Sequence, residues 1–509
     1  MANGKSRIRR VKCDETKPAC TRCTSTGRKC EGYPVSTPTL TPAQNTDLSN
    51  ETLCSLSLYR LSWDIPGDDA ERRSFCYLRE RAIYDISGYF ESEFWDRLVL
   101  QISHTEPAVR HALLALSSLC ETYESRDLTN DHHKSRTQFA LQQYNKAVRL
   151  LANSLSAPQS QLDVILTSCL VFVWLEFMRN DLDAALCHLR GGLKILDDFQ
   201  QPNSASALTS QRIDASLIYL FSRLKVQATL YSSLTSESIS QSCEGIRIVV
   251  PTSFTSIEQA RNVLHTLVGA VFQFIRQISD SDFVESMTRS HPCPGLLSHE
   301  ATCHLYLRQF RRWQGAIQNS PDSTFKSLNP RQTAAMRLLH MYHKTLTILL
   351  ETLFTRSQMI YDQYDDSFDQ VLTLAEQLIH NSQHMGSIIF FDMGVIAPLF
   401  YTVLKCRNHA SRLKALALLR LAPCREGMWH RQDVIEYVEW KIGIEERGRG
   451  QLSEAVPLPE EARIWNEHLK EVVIDGHKKT VISFQWRSKD CIEHGEDITD
   501  LNTNMGQLL

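Results

Sequence analysis

From about residue 70 onward, apolar residues recur at helical spacing. In "NPRQTAAMRLLHMYHKTLTILLETLF" the set Ala335, Leu338, Leu339, Tyr342, Leu346, Leu349, Leu350 and Leu353 follows i, i+3, i+4, i+7, the stripe one helix face presents to a core. Asn329 fits an N-cap, with Pro330 at the first helical position, where its missing N–H costs nothing. The stretch "TEPAVRHALLALSSLCETY" predicts a second amphipathic helix, capped by Thr105, with Pro107 in its first turn and Val109, Ala112, Leu113, Leu116 and Leu119 on one face. Residues 162–178 and 182–199, joined by "RND", predict an antiparallel helical hairpin. Strand signal is confined to "VVIDGHKKTVISF", where an Asp475-Gly476 turn between β-branched residues predicts a small hairpin appendage. No self-similar repeat of fixed period appears, so a regular solenoid is not expected. The expected fold class is all-α, a large body of antiparallel helical hairpins with a minor C-terminal β-hairpin.

The two most apolar runs, "LDVILTSCLVFVWLEFM" and "IIFFDMGVIAPLFYTVL", fall short of a membrane span and carry Asp163 and Glu176, or Asp392 and Pro398. Both read as buried helices, and no membrane partner is expected. The Met1 end has no apolar signal-peptide stretch, so secretion and disulfides are not expected either. With 42% hydrophobic and 22% charged residues, the 509-residue chain has an ordinary globular composition.

Helical periodicity is missing from the first 68 residues, and there the charge changes the picture. Residues 1–35 hold nine Lys/Arg against three Asp/Glu, a net of +6; because the whole chain carries −3, the remainder carries −9. A basic head on an acidic body reads as a polyanion-binding arm attached to a domain that does not bind polyanions. "PVSTPTLTPAQNTDLSNET" follows, rich in proline and hydroxyl residues, and reads as an extended linker. The expected organisation is a head at 1–35, a flexible linker at 36–68 and a helical regulatory body at 69–509. No heptad repeat follows the head, so no zipper announces a dimer, and the oligomeric state is open.

Inside the head, Cys13, Cys20, Cys23 and Cys30 form C-x6-C-x2-C-x6-C. A C-x2-C step lets two thiolates reach one tetrahedral zinc, and outlying cysteines complete the shell. A segment this short cannot build its own apolar core, so bound metal would supply the folding free energy. The other eleven cysteines share no such spacing and read as small buried apolar groups.

"RIRRVKCDETKPACTRCTSTGRKCEGY" resembles the latter part of the motif of the fungal binuclear zinc-cluster transcription factors: the basic run, the Lys-Cys-Asp step, the Lys17-Pro18 turn, the C-x2-C, Gly27-Arg28 and the last cysteine. The resemblance implies a six-cysteine cluster holding two zinc ions, but the first two ligand positions fall on Asn3 and Ser6. As written, the chain is expected to hold at most one zinc with its four cysteines. Either the true protein starts upstream or uses another first exon, or the chain is a variant with a crippled head. The first is preferred, because every other feature of the motif is intact. The resemblance further implies that Arg7 to Lys12 form a short helix entering the DNA major groove, with Arg10 on a base and Arg9 and Lys12 on bases or phosphates. Arg22, Arg28 and Lys29 then contact the backbone, and the site read is GC-rich, of CGG type. Such roles are physically sound, since arginine forks onto guanine O6 and N7 while Lys and Arg neutralise phosphates.

The body carries the resemblance further. "ERRSFCYLRERAIYDISGYFESEFWDRLVLQISHTEPAVRHALLALSSL", "QYNKAVRLL", "HLRGGLKIL", "KCRNHASRLKALALL" and "REGMW" are similar to the helical fungal-specific regulatory domain that follows the cluster in one branch of the family. This implies a nuclear, zinc-dependent, sequence-specific DNA-binding regulator of RNA polymerase II transcription, with the transcription machinery or a small-molecule effector as further partners. The alternative is a helical interaction or ligand-sensing protein with a degenerate head. Trp95, Glu106, Arg110, Glu426 and Trp429 stand out as pocket or interface candidates, though capping and packing explain them more simply. "IYDQYDDSFDQV", residues 360–371, mixes acidic and aromatic residues as activation segments do, but reads more simply as a loop flanking a helix.

Catalytic patterns are missing. In "HPCPGLLSHEATCH" His299 and His304 are five apart, so on a helix they diverge by about 140° and do not make a zincin pair. His340 and His343 of "HMYH" read as surface or satisfied core histidines, and "DHHK" at 131–134 as a loop leading into a helix. There is no nucleophile elbow, phosphate loop or dinucleotide fingerprint, so no enzyme is expected.

Overall fold

The computed structural model describes residues 65–501 apart from 125–129, 156–161, 201–212, 232–247, 279–293, 326, 356, 386–388, 452, 455, 475–476 and 489–490; before residue 65 it describes Thr21 and Ser25. The chain divides into two compact units, Met1–Arg60 and Leu61–Leu509. In the first, the Ser25 N–H donates to the Thr21 carbonyl at 2.9 Å, the i→i−4 bond of one helical turn.

The second unit is helical almost throughout. Asp68 opens it with a capping box to Glu71, and Asp69–Tyr77 runs through a π-helical turn, Leu78–Ala82, into Ile83–Ser87. Gly88, at φ 59°, ends this segment in a conformation that side chains resist. After Val99–Thr105 come α1 (Pro107–Glu124), α2 (Asn130–Leu155), α3 (Leu162–Met178), α4 (Leu182–Gln200), α5 (Ala215–Tyr231) and α6 (Ile257–Gln277). They are followed by α7 (Pro294–Gln318), α8 (Pro330–Thr352), α9 (Asp365–Met385), α10 (Ile396–Lys405), α11 (His409–Leu421) and α12 (Arg431–Arg449).

The expected caps hold at α8 and fail at α1. Asn329 accepts from the Gln332 N–H at 2.8 Å while Gln332 accepts from the Asn329 N–H, with Pro330 at the helix start. Thr105 instead ends the preceding helix, its hydroxyl donating to the Ile102 carbonyl, and Glu106 supplies the carbonyl that accepts from the Arg110 N–H. Nor does α1 bury only one face: every residue from Ala108 to Glu121 is buried, because the helix packs against both α2 and α3. The α3–α4 hairpin forms as expected. Asn180 takes φ 61° between the helices, and Asp181 caps α4 by accepting from the Ala184 N–H at 3.0 Å.

Two large cores result. One joins the segment from Ile65 through α5; the other joins α6 through α12, with Tyr89 and Phe90 reaching across to it. Between them sits a small sheet, β1 (Ile389–Phe390) parallel to β2 (Arg425–Glu426), which pairs antiparallel with β3 (Trp429–His430). "IIFFDMGVIAPLFYTVL" is therefore not one helix: its first part is β1 and a bend, and α10 begins at Ile396. "DHHK" is helical from the start of α2 rather than a loop. Residues 358–364 form a 3-10 helix running directly into α9, not a loop, and Tyr361 and Phe368 are buried with Ile348 and Cys406 while Gln363, Asp366, Asp369 and Gln370 are exposed.

The C-terminal hairpin is a three-stranded meander, β4 (Ile464–Ile474), β5 (His477–Ser488) and β6 (Cys491–Thr499). β6, "CIEHGEDIT", is mostly polar and exposed, so apolar alternation gave no sign of it. Nor is the sheet a loose appendage. Glu445 on α12, fully buried, pairs with Arg407 at 3.0 Å and Arg412 at 2.6 Å and accepts the Ile464 N–H at 3.1 Å, fastening β4 to the helices. Arg463 grips Asp362 through both guanidinium nitrogens at 2.8 Å, and Lys441 pairs with Glu467.

Candidate functional site

The head residues singled out by the sequence, namely Arg7, Arg9, Arg10, Lys12, Cys13, Cys20, Cys23, Cys30, Arg22, Arg28 and Lys29, lie outside the described residues. Among the described residues no group of His, Cys, Asp and Glu could hold a metal ion. His343 is buried, donates Nε2–H to the Phe310 carbonyl at 3.0 Å and stacks on Trp313, and burial pushes its pKa down to about 4.

The five body candidates do not form one pocket. Glu426 is fully buried with Oε2 accepting the Ile396 N–H at 2.7 Å, so it caps α10, and burial pushes its carboxyl up to about 7 against the pull of those backbone donors. Gly394 stands where a Cβ would lie 2.2 Å from Glu426 Oε1, which is why no larger residue fits. Trp429 faces Glu426 across the β2–β3 ladder and packs on Phe400. Arg110 is buried near Glu71, and Glu106 starts α1. Trp95 lines a cavity.

That cavity is a cleft where the two cores meet, walled by Phe90, Trp95, Trp174 and Phe391, with Arg223 and Gln227 from α5, Arg261 from α6 and Asp392. Trp174 and Phe391 stack at 4.2 Å. Arg261 lies over the Phe90 ring at 3.7 Å and pairs with Asp392, which Arg223 Nε approaches at 3.7 Å. Burial pushes Arg223 down to about 10 and Arg261 well below the arginine range, with each guanidinium adding to the strain on Arg261. Sequence reading missed Arg223 and Arg261 and used Asp392 only against a membrane span. The one available signal was a charge set inside apolar runs, Arg223 after "LIYLFS" and Asp392 after "IIFF".

Comparison with protein-family models gives the class of the molecule, a transcription regulator rather than an enzyme. A model of the fungal specific transcription factor domain matches residues 82–436, and a model of the fungal Zn(2)-Cys(6) binuclear cluster domain, a zinc-binding domain, matches residues 7–40. The chain belongs to this fungal zinc-cluster transcription factor family. It is 26% identical over 402 residues to the aspercryptin biosynthesis cluster-specific transcription regulator of Emericella nidulans, covering 73% of this chain and 63% of that protein. It is 32% identical over 210 residues to a transcription regulator of Purpureocillium lilacinum, 38% of this chain and 48% of that one. A transcriptional regulatory protein of Schizosaccharomyces pombe is 70% identical over 30 residues, 6% of each. The matched region thus spans less than two thirds of the first two relatives. No solved structure matches. Among the described residues no helix is long and apolar enough to cross a membrane.

Proposed function

We propose that the chain is a zinc-dependent, sequence-specific DNA-binding regulator of RNA polymerase II transcription that acts in the nucleus. In this reading residues 1–35 read DNA, 36–68 tether the head, and the helical body at 69–509 sets the output through the transcription machinery or an effector. The observation that carries it is the cysteine and basic pattern of residues 7–33, inside the match to the zinc-cluster domain. Cys13, Cys20, Cys23 and Cys30 supply four thiolates, the number one tetrahedral zinc takes; six would be needed for two ions, and Asn3 and Ser6 occupy the remaining positions. The bound ion contributes folding free energy and no reaction.

Arg10 forks onto a guanine in a GC-rich, CGG-type half-site, with Arg7, Arg9 and Lys12 on neighbouring bases and phosphates. Arg22, Arg28 and Lys29 hold the backbone and fix register. Asn3 and Ser6 favour one competing reading, a protein that works through its helical body without DNA. Fluorescence anisotropy of the full chain separates the two: binding to a CGG-containing duplex at least tenfold tighter than to a scrambled one, and lost with a zinc chelator, supports DNA reading. Equal or absent binding to both duplexes with zinc present supports the competitor.

A further inference from the structure

Where β2 and β3 meet the start of α12, a thiol, an imidazole and a carboxylate come together. Cys424 immediately precedes β2, His430 ends β3, and Asp433 lies in the first turn of α12. The hairpin fixes their spacing: Arg425 pairs with His430 in the ladder, and the Arg431 N–H donates to the Cys424 carbonyl at 3.0 Å. His430 Nδ1 lies 3.2 Å from Asp433 Oδ1, and the same ring hydrogen-bonds the Cys424 thiol. A nucleophile beside a ring that a third group orients is the arrangement that activates a thiol.

The electrostatics agree with the geometry. Asp433 and Cys424 together push His430 up to about 9, so the ring carries a proton at neutral pH. That imidazolium, with Arg431 and Arg425 adding to it, outweighs burial and holds the Cys424 thiol below its ordinary range. Five other described cysteines shift the opposite way: burial pushes up Cys120, Cys169, Cys303 and Cys406, and the Glu80 carboxylate pushes up Cys76. Cys424 is half-buried, and His430 and Asp433 keep 26% and 13% of their side-chain surface exposed, so a small solute reaches the group from solvent. A proton donor beside the sulfur suits a reagent that expels a basic leaving group, as a hydroperoxide does.

We propose that Cys424 is a modification site for small hydroperoxides, with His430 as the proton donor and Asp433 positioning the ring. With hydrogen peroxide, the Cys424 thiolate attacks one peroxide oxygen and the O–O bond breaks. The departing hydroxide takes the proton of the His430 imidazolium and leaves as water. Sulfur is oxidised to a sulfenic acid, Cys–SOH, the peroxide is reduced, and His430 is left neutral. The modified residue sits where the two halves of the body meet: Arg425, next in the chain, donates to Asn180 Oδ1 at 2.6 Å in the α3–α4 turn, and Tyr123 of α1 feels the charge of the thiol. Oxidation there removes an anion that faces His430, Arg431 and Arg425. The site goes beyond the DNA-reading head, and its test needs no DNA.

The test treats the zinc-loaded full chain with hydrogen peroxide in the presence of dimedone, which traps sulfenic acids, and reads the labelling rate of each cysteine by peptide mass spectrometry. Cys424 should label about tenfold faster than the exposed Cys76 and Cys187 in the folded chain, and no faster than them in urea. His430→Gln should remove most of this advantage; Asp433→Asn should reduce it and Asp433→Glu restore it. Cys424 labelling no faster than Cys76 and Cys187 in the folded chain overturns the site, and an advantage that survives urea overturns its dependence on the fold; neither result needs a variant to fold. An unchanged rate in His430→Gln removes the imidazole from the reaction, and equal rates in Asp433→Asn and Asp433→Glu remove the positioning role.

Discussion

The head and the body of this protein use charge in opposite ways. In residues 1–35 nine basic side chains crowd a stretch with four cysteines and no apolar periodicity, an arrangement suited to meeting phosphate in water. In the body the decisive charges are buried and face one another, as where Arg407 and Arg412 close on Glu445. On the proposed reading the first kind of charge acts on a partner rather than on the fold. The second kind holds the fold, as Glu445 does between Arg407 and Arg412.

The contrast can be broken first at Glu445. Burial alone would raise its pKa, but Arg407, Arg412 and Lys441 outweigh that and hold the carboxyl below its usual range. Glu445→Gln leaves buried guanidinium groups uncompensated and should cost about 3–5 kcal/mol in urea unfolding. The zinc content of the head should not change; a variant as stable as the parent would make the buried network incidental.

Next in size is a pH effect at Glu426. Its folded pKa, about 7, lies above the ordinary 4.5, so its contribution is fully present below about pH 4.5 and is lost as pH rises through 7. Unfolding free energy should fall by up to about 3 kcal/mol across that window, and Glu426→Gln, which keeps an acceptor for the Ile396 N–H, should flatten the fall. An unchanged pH profile would place the lost protons elsewhere.

The smallest effects belong to the head and should spare stability altogether. Arg10→Ala should weaken binding to the cognate duplex by about 1–3 kcal/mol and relax discrimination at one base pair. Arg28→Ala should weaken all duplexes alike and lower the salt-dependence slope by about one. A uniform loss for Arg10→Ala, or an unchanged slope for Arg28→Ala, would exchange or remove these roles.

The same contrast explains what could be read from the sequence. The zinc motif is local, four cysteines between residues 13 and 30, and spacing alone exposes it. Helices such as α8 were legible because cap and stripe lie in one segment. The ends of α1 were not, because Thr105 and Glu106 divide their roles between two abutting helices. β6 was invisible because its pairing with β5 depends on backbone hydrogen bonds rather than apolar alternation. The cleft was hidden for a stronger reason: α5, α6 and the bend after β1 each bring one charge, and only the fold puts them together.

The central claim is that the cysteines between residues 13 and 30 hold zinc in a DNA-reading head whose two further ligand positions fall on Asn3 and Ser6, and native mass spectrometry of the full chain tests it most directly. One zinc per chain as written, none in Cys20→Ser, and two when Asn3→Cys and Ser6→Cys are combined is the result the account predicts. Two zinc ions in the chain as written, or one retained in Cys20→Ser, would contradict it.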